Sequence, residues 1–159
     1  MIGALPIHTT REVDGMIGIL IVTHSNLGAA LIEAAQFIIG SLPEKLEAVS
    51  IDLREDAELL RKKIASAIKR LDGREGILIL TDMFGGTPSN LSYSFLEEGK
   101  IEVISGVNLP MVIRSITLRK SLSLAELGEK IEAFGKKSIS LASGILKGNK
   151  KAASGSEEG

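Results

Sequence analysis

Apolar residues in this chain fall into short blocks whose period changes repeatedly. Residues 17–22 (Ile-Gly-Ile-Leu-Ile-Val) and 77–80 (Ile-Leu-Ile-Leu) are near-continuous apolar runs, the pattern of strands buried on both faces. Residues 46–51 and 101–104 are shorter β-prone segments. Between these blocks the period lengthens to that of a helix. Leu27, Leu31, Ala34, Ala35 and Ile38 share one face, with Ser25 or Asn26 as N-cap and Gly40 as the stop. Asp56 caps a second helix with Leu60, Ile64, Ala67, Ile68 and Leu71 inward and Lys62, Lys63, Lys69 and Arg70 on a solvated face.

Thr87 and Pro88 read as N-cap and first residue of a third helix that Gly99 closes. A fourth helix begins near Pro110. Ser123-Leu124-Ala125-Glu126 is a capping box, and its helix turns Leu124, Leu127, Ile131 and Phe134 inward before ending at Gly135. Residues 138–142 alternate and read as a last edge strand. Strands alternating with helices predict an α/β fold, a doubly wound, mainly parallel sheet with helices on both faces. A second Met at position 16 precedes the first strand. The expected organisation is therefore a flexible extension over 1–15, one domain over 16–146 and a flexible tail over 147–159.

Composition narrows the function. The 159 residues suit one core. A net charge of −1 and 3% aromatics give no basic footprint and no stacking platform, so nucleic acid is not an expected partner. There is no cysteine, which removes thiol chemistry and fits a reducing cytosol. The apolar runs are too short to span a bilayer, and residues 1–15 lack a signal-peptide pattern. The expectation is a cytoplasmic protein with no direct membrane insertion.

In doubly wound sheets the chemistry gathers beyond the carboxyl ends of the strands. Two polar groups lie there: Thr23-His24-Ser25-Asn26 after strand one, and residues 81–88 (Thr-Asp-Met-Phe-Gly-Gly-Thr-Pro) after strand three. If those strands are neighbours, Asp82 can accept a hydrogen bond from one ring nitrogen of His24 and leave the other as a nucleophile. Gly85, Gly86 and Thr87 form a turn running into a helix N-terminus, a setting that suits a phosphoryl group. Taken singly, each feature also has a plainer reading: a polar strand end, an aspartate bonded to loop amides, a tight turn. His8 falls in the extension. No Walker loop, dinucleotide fingerprint or metal-ligand cluster is present, so no cofactor is expected. A hydrolase using Ser25, Ser89 or Ser92 lacks a nucleophile elbow, and a flavodoxin-like cofactor binder would need a ligand that nothing here predicts.

Thr23-His24, the 81–88 loop and residues 102–111 (Glu-Val-Ile-Ser-Gly-Val-Asn-Leu-Pro-Met), in that order, strongly resemble the mannose-type IIA family of the phosphoenolpyruvate-dependent sugar phosphotransferase system. The resemblance covers about residues 16–146. It implies four parallel strands plus an antiparallel strand exchanged between the subunits of a homodimer, with 138–142 as the candidate. It also implies that His24 takes phosphate from the phosphohistidine of HPr on Nε2, with Asp82 holding Nδ1, and passes it to a IIB component. Ser25, Met83 and Phe84 would rim the site. Ser25 stands where many members carry glycine, and no linker to a IIB domain follows, so a separate IIB partner is expected. Two relatives of this function stay open: a regulatory IIA protein whose phosphorylation state selects protein partners, and a IIA-like donor to dihydroxyacetone kinase.

Overall fold

A computed structural model describes residues 15–154 of the chain. Four strands, β1 (Gly18–His24), β2 (Leu46–Ile51), β3 (Ile77–Thr81) and β4 (Ile101–Ser105), pair in parallel in the order β2-β1-β3-β4. They are interleaved with α1 (Leu27–Ile39), α2 (Ala57–Leu71), α3 (Thr87–Tyr93), α4 (Leu109–Leu118) and α5 (Leu124–Lys137), and α6 (Ala142–Ser154) follows. β1 runs in register with β3 from Gly18 opposite Ile77 to Val22 opposite Thr81. The chain leaves β1 toward β2 on one side and later builds β3 on the other. The topological switch therefore lies between β1 and β3.

The apolar runs became the central strands because both of their faces are covered. Ile19 and Ile21 face the core layer that holds Met111, Val112, Leu127 and Ile131 from α4 and α5. Leu20 and Val22 face the layer holding Leu60, Ile64, Ala67 and Leu71 from α2. All four strand residues are fully buried, each such side chain contributing roughly 1.5–3 kcal/mol relative to exposure. The α2 stripe and its Asp56 cap are as the pattern predicts, with Ile68 half-buried beside it. The capping box at Ser123 is complete in both directions.

Several elements differ from the sequence reading. The buried stripe of α1 is rotated to Gly28 and Ala35, with Leu31 and Ile32 packed beside them, while Leu27 and Ile38 are exposed. Gly28 sets that rotation: a Cβ there would lie 3.2 Å from Ile21 Cγ2, so the helix rests on the sheet at its glycine. The N-cap of α3 is Gly86, not Thr87, and the helix ends at Tyr93 rather than at Gly99, which occupies a left-handed position in the turn before β4. Gly135 does not stop α5. It is buried inside the helix, where a Cβ would come 2.5 Å from Met111 Sδ, so it is a close-packing position against α4. Phe134 is only partly covered, with the Arg114 guanidinium 5.4 Å from its ring centre.

Residues 138–142 are a further correction, for they form no strand in this chain. With α5 running through Gly135, Ser138 becomes its C-cap, its hydroxyl donating to the Gly135 carbonyl, and α6 begins at Ala142. That helix runs past the expected domain limit at 146. The expected extension, with His8, lies outside the described residues except for Gly15, as do residues 155–159 of the expected tail.

At the amino ends of the strands, Arg119 is buried at the end of α4. Its guanidinium donates to the carbonyls of Lys45 (3.0 Å), Glu44 (2.5 Å) and Ile17 (3.4 Å), tying α4 to the entries of β1 and β2. Arg119→Met should cost about 2–4 kcal/mol in a denaturant melt, because buried carbonyls lose their donors. Function at the opposite end of the sheet should be retained per folded molecule.

Candidate functional site

His24 is the last residue of β1, and Asp82 follows the last residue of β3. Because the two strands are adjacent and in register, the side chains meet at the switch point. Asp82 Oδ2 accepts from the His24 backbone N–H at 2.9 Å and lies 2.7 Å from Nδ1. Its other oxygen accepts from the Met83 N–H at 3.0 Å. One carboxylate thus fixes the backbone and ring of the histidine and the first turn of the following loop.

An ionised carboxylate can only accept, so the Nδ1 position facing it carries the proton and Nε2 keeps its lone pair. The His24 side chain is 33% exposed and that of Asp82 11%. The ring is therefore partly open to solvent while the carboxylate lies below the surface. Burial pushes the Asp82 carboxyl up, but the His24 backbone and ring bonds and its own backbone amide outweigh that and hold it below the usual aspartate value.

The 82–87 loop closes over the other side of the ring. Gly85 adopts a left-handed conformation at φ 77° that glycine tolerates without steric cost. Gly86 lies flat against the imidazole: a Cβ there would sit 3.0 Å from His24 Cε1 and 3.6 Å from Nε2. A larger residue would press on Cε1, beside the nitrogen expected to react. Thr87, half-buried, is the first residue of α3. Met83 and Phe84 stand out at the rim, 54% and 80% exposed. On the opposite side Ser25 is exposed in a left-handed turn at φ 50°, its N–H bonded to the Ile51 carbonyl at 3.2 Å. Of the residues singled out, Asp82 bonds His24 and Gly86 lies against its ring; Met83, Phe84, Gly85 and Thr87 belong to the same loop, and Ser25 follows His24 in the chain.

Two features were missed by the sequence reading. Asn26 caps α1 with no side-chain bond; Thr23 does that work, its hydroxyl accepting from the Gly28 N–H at 2.8 Å. Ser89 and Ser92, weighed only as nucleophiles, are fully buried, and the Ser89 hydroxyl is bonded to the Met83 carbonyl. That geometry does not serve a hydrolase. A run of Thr or Ser at the ends of adjacent strands (Thr81, Ser105) was the signal available for such a buried polar group.

Among the described residues no group of three or more His, Asp or Glu could hold a metal ion, and no helix is long and apolar enough to cross a membrane. The family described as "PTS system fructose IIA component" matches residues 18–132. The chain is 33% identical over 129 residues to the fructose-specific EIIA component of the sugar phosphotransferase system (PTS) of Bacillus subtilis, covering 80% of this chain and 88% of the relative. It is 33% identical over 104 residues to the mannose-specific EIIAB component of Escherichia coli, covering 65% of this chain but 32% of that longer protein. A crystal structure of phosphotransferase system component EIIA from Streptococcus agalactiae superposes with a TM-score of 0.72 at 27% identity, covering 80% of this chain and 98% of the other.

Proposed function

This chain belongs to the mannose/fructose IIA family of phosphotransferase-system components, and from that premise we propose that His24 is its phosphoryl carrier. His24 Nε2 accepts the group from the phosphohistidine of HPr and hands it to a IIB component, which serves sugar uptake. The observation that carries this reading is the ring's asymmetry: Nδ1 is held at 2.7 Å by Asp82, whereas Nε2 faces the glycine loop.

As the Nε2 lone pair forms a bond to phosphorus, the donor's N–P bond breaks and its imidazole leaves. The His24 ring gains positive charge in that step, and the Asp82 carboxylate is already in place to offset it. The amides around Gly85, Gly86 and Thr87, on the loop beside the ring, would receive the phosphoryl oxygens, so that charge stabilisation and positioning come from the same loop. Met83 and Phe84 form the rim that HPr and the IIB component would touch. The sugar-specific names of the relatives support a carrier in sugar uptake over a donor to dihydroxyacetone kinase.

The homodimer belongs to the same proposal. The outer edge of β4 pairs with no other named strand among the described residues. Beside it runs a groove of about 710 Å³ lined by Ser105, Gly106, Gly128 and Ile139 among others. Ile139 and Leu141 are 79% and 76% exposed, apolar side chains that a second subunit against this edge would cover.

Incubation with Enzyme I, HPr and labelled phosphoenolpyruvate tests the carrier. The chain should take up acid-labile, alkali-stable label and pass it to a IIB protein. No label, with Enzyme I and HPr shown to be active, would reject it. Light scattering should give twice the chain mass of 16.9 kDa, and a monomer at micromolar concentration would reject the dimer.

A further inference from the structure

Behind the loop that carries Asp82 lies a closed group of hydroxyls. Thr81 Oγ1, at the end of β3, is 2.6 Å from Ser89 Oγ and 2.9 Å from Ser105 Oγ at the end of β4. Ser89 and Ser105 are 3.0 Å apart, and Tyr93 Oη lies 2.8 Å from Ser105 Oγ. Thr81 and Ser89 are fully buried. The Ser89 hydroxyl also bonds the Met83 carbonyl at 2.5 Å. A carbonyl cannot donate, so the single Ser89 proton is committed to Met83; with Thr81 donating to Ser105, the Ser89 oxygen accepts from Ser105. The group thus has a direction, and it ends on loop backbone one residue from Asp82.

A core of the same shape needs no such group, since apolar residues in place of both partners of a buried hydrogen bond are close to neutral for stability. What the hydroxyls add is a second attachment for the loop. From outside, the loop's support is slight: Phe84 leans on the Tyr93 ring at 6.5 Å and the Asn90 amide donates to the Gly85 carbonyl at 3.5 Å, but Met83 and Phe84 are largely exposed and nothing lies within 4 Å of where a Gly85 Cβ would be. In front, the Asp82 carboxylate grips His24 and the Met83 N–H. Behind, Ser89 grips the Met83 carbonyl. The peptide groups on both sides of Met83 are therefore held, one from each face.

We propose that Ser89, braced by Thr81, Ser105 and Tyr93, is a positioning residue that sets the 82–86 loop against the His24 ring. The proposal rests on the phosphocarrier reading of His24. Phosphoryl transfer between imidazoles depends on alignment, and a displacement of about 1 Å at such a site costs on the order of 100-fold. Loss of the Ser89 hydroxyl frees the Met83 carbonyl, lets Asp82 drift from Nδ1 and admits the other ring tautomer.

The test compares wild type, Ser89→Ala and Tyr93→Phe by two readouts. In transfer from phospho-HPr, Ser89→Ala should lower the saturating rate about tenfold, in the range seen for groups that orient a reacting histidine, with KM changed less than about twofold. Tyr93→Phe, at the far end of the group, should lower it about threefold by the same argument. In imidazole ¹⁵N spectra, wild type should show the Nδ1–H tautomer, and Ser89→Ala should show a rising share of Nε2–H. A melting temperature that falls while the saturating rate and the tautomer stay as in wild type would make Ser89 a packing residue only and overturn the proposal. If Ser89→Ala does not fold, Tyr93→Phe decides by the same two readouts. Should wild type accept no phosphate from an active donor, the carrier reading fails, and the tautomer comparison alone decides whether Ser89 positions the ring.

Discussion

His24→Ala should fold like the wild type and accept no phosphate. The ring is a third exposed and sits at a strand end, and the backbone N–H of residue 24 keeps its bond to Asp82 after truncation. The stability cost is therefore that of one side-chain hydrogen bond, about 1 kcal/mol. Transfer, by contrast, has no substitute imidazole at the switch point. Ser89 and Ser92 are buried, and the chain's only other histidine, His8, lies in the N-terminal extension. Incorporation of label from phosphoenolpyruvate through Enzyme I and HPr should fall to background, a loss of at least about 1,000-fold when a covalent nucleophile is removed. Circular dichroism and a denaturant melt on the same preparation separate this from misfolding. Label retained by a folded variant would move the phosphorylated residue elsewhere and take the mechanism with it.

That this site could be read from sequence follows from how a parallel sheet orders its ends. Apolar runs at 17–22 and 77–80 are too continuous for a half-exposed strand, so both belong in the middle of a covered sheet. Two central parallel strands present their carboxyl ends side by side, and the residues just there are His24 and Asp82. The glycine loop follows directly, and its distance from the ring is set by Gly86, where no Cβ can be fitted without pressing on Cε1.

The missed features share a different physics. Gly135 reads as a helix stop because glycine usually marks one, yet here it is a contact made possible by the missing side chain. Only the position of Met111 on another helix reveals that. Phe134 and the rotated face of α1 depend in the same way on helix-to-sheet distances that no periodicity encodes. Residues 138–142 have strand-like alternation, but α5 runs on to Lys137 with Ser138 as its cap and α6 begins at Ala142, so the segment is the turn between two helices. Thr81, Ser89, Tyr93 and Ser105 are spread along the chain from residue 81 to residue 105. Each looks like an ordinary polar residue until β3, α3 and β4 bring the four oxygens together.

Asp82→Asn should leave a folded protein that transfers phosphate roughly 100-fold more slowly, or worse. Both carboxylate oxygens are used as acceptors on opposite sides: Oδ2 by the His24 N–H and ring, Oδ1 by the Met83 N–H. An asparagine has one acceptor oxygen. If it faces the histidine, its NH₂ group opposes the Met83 N–H; if it turns, two donors oppose each other at His24. In the first case the opposed donor is the solvent-exposed Met83 N–H and the cost is small; in the second it is the part-buried His24 N–H, at a cost of about 1–3 kcal/mol at neutral pH. The ring also loses the charge that offsets its own as Nε2 bonds phosphorus. The acid dependence should change in a defined direction. Because the folded Asp82 carboxyl sits below its ordinary value, its stabilisation is fully present above about pH 4 and is lost as pH falls through the lower folded value. Melts taken from pH 7 down to about 2.5 should show a smaller acid loss in Asp82→Asn than in wild type, since the variant has no carboxylate there to protonate. Equal acid loss in both proteins would place the stabilising carboxylates elsewhere, and a wild-type transfer rate would remove Asp82 from the mechanism while leaving His24 in it.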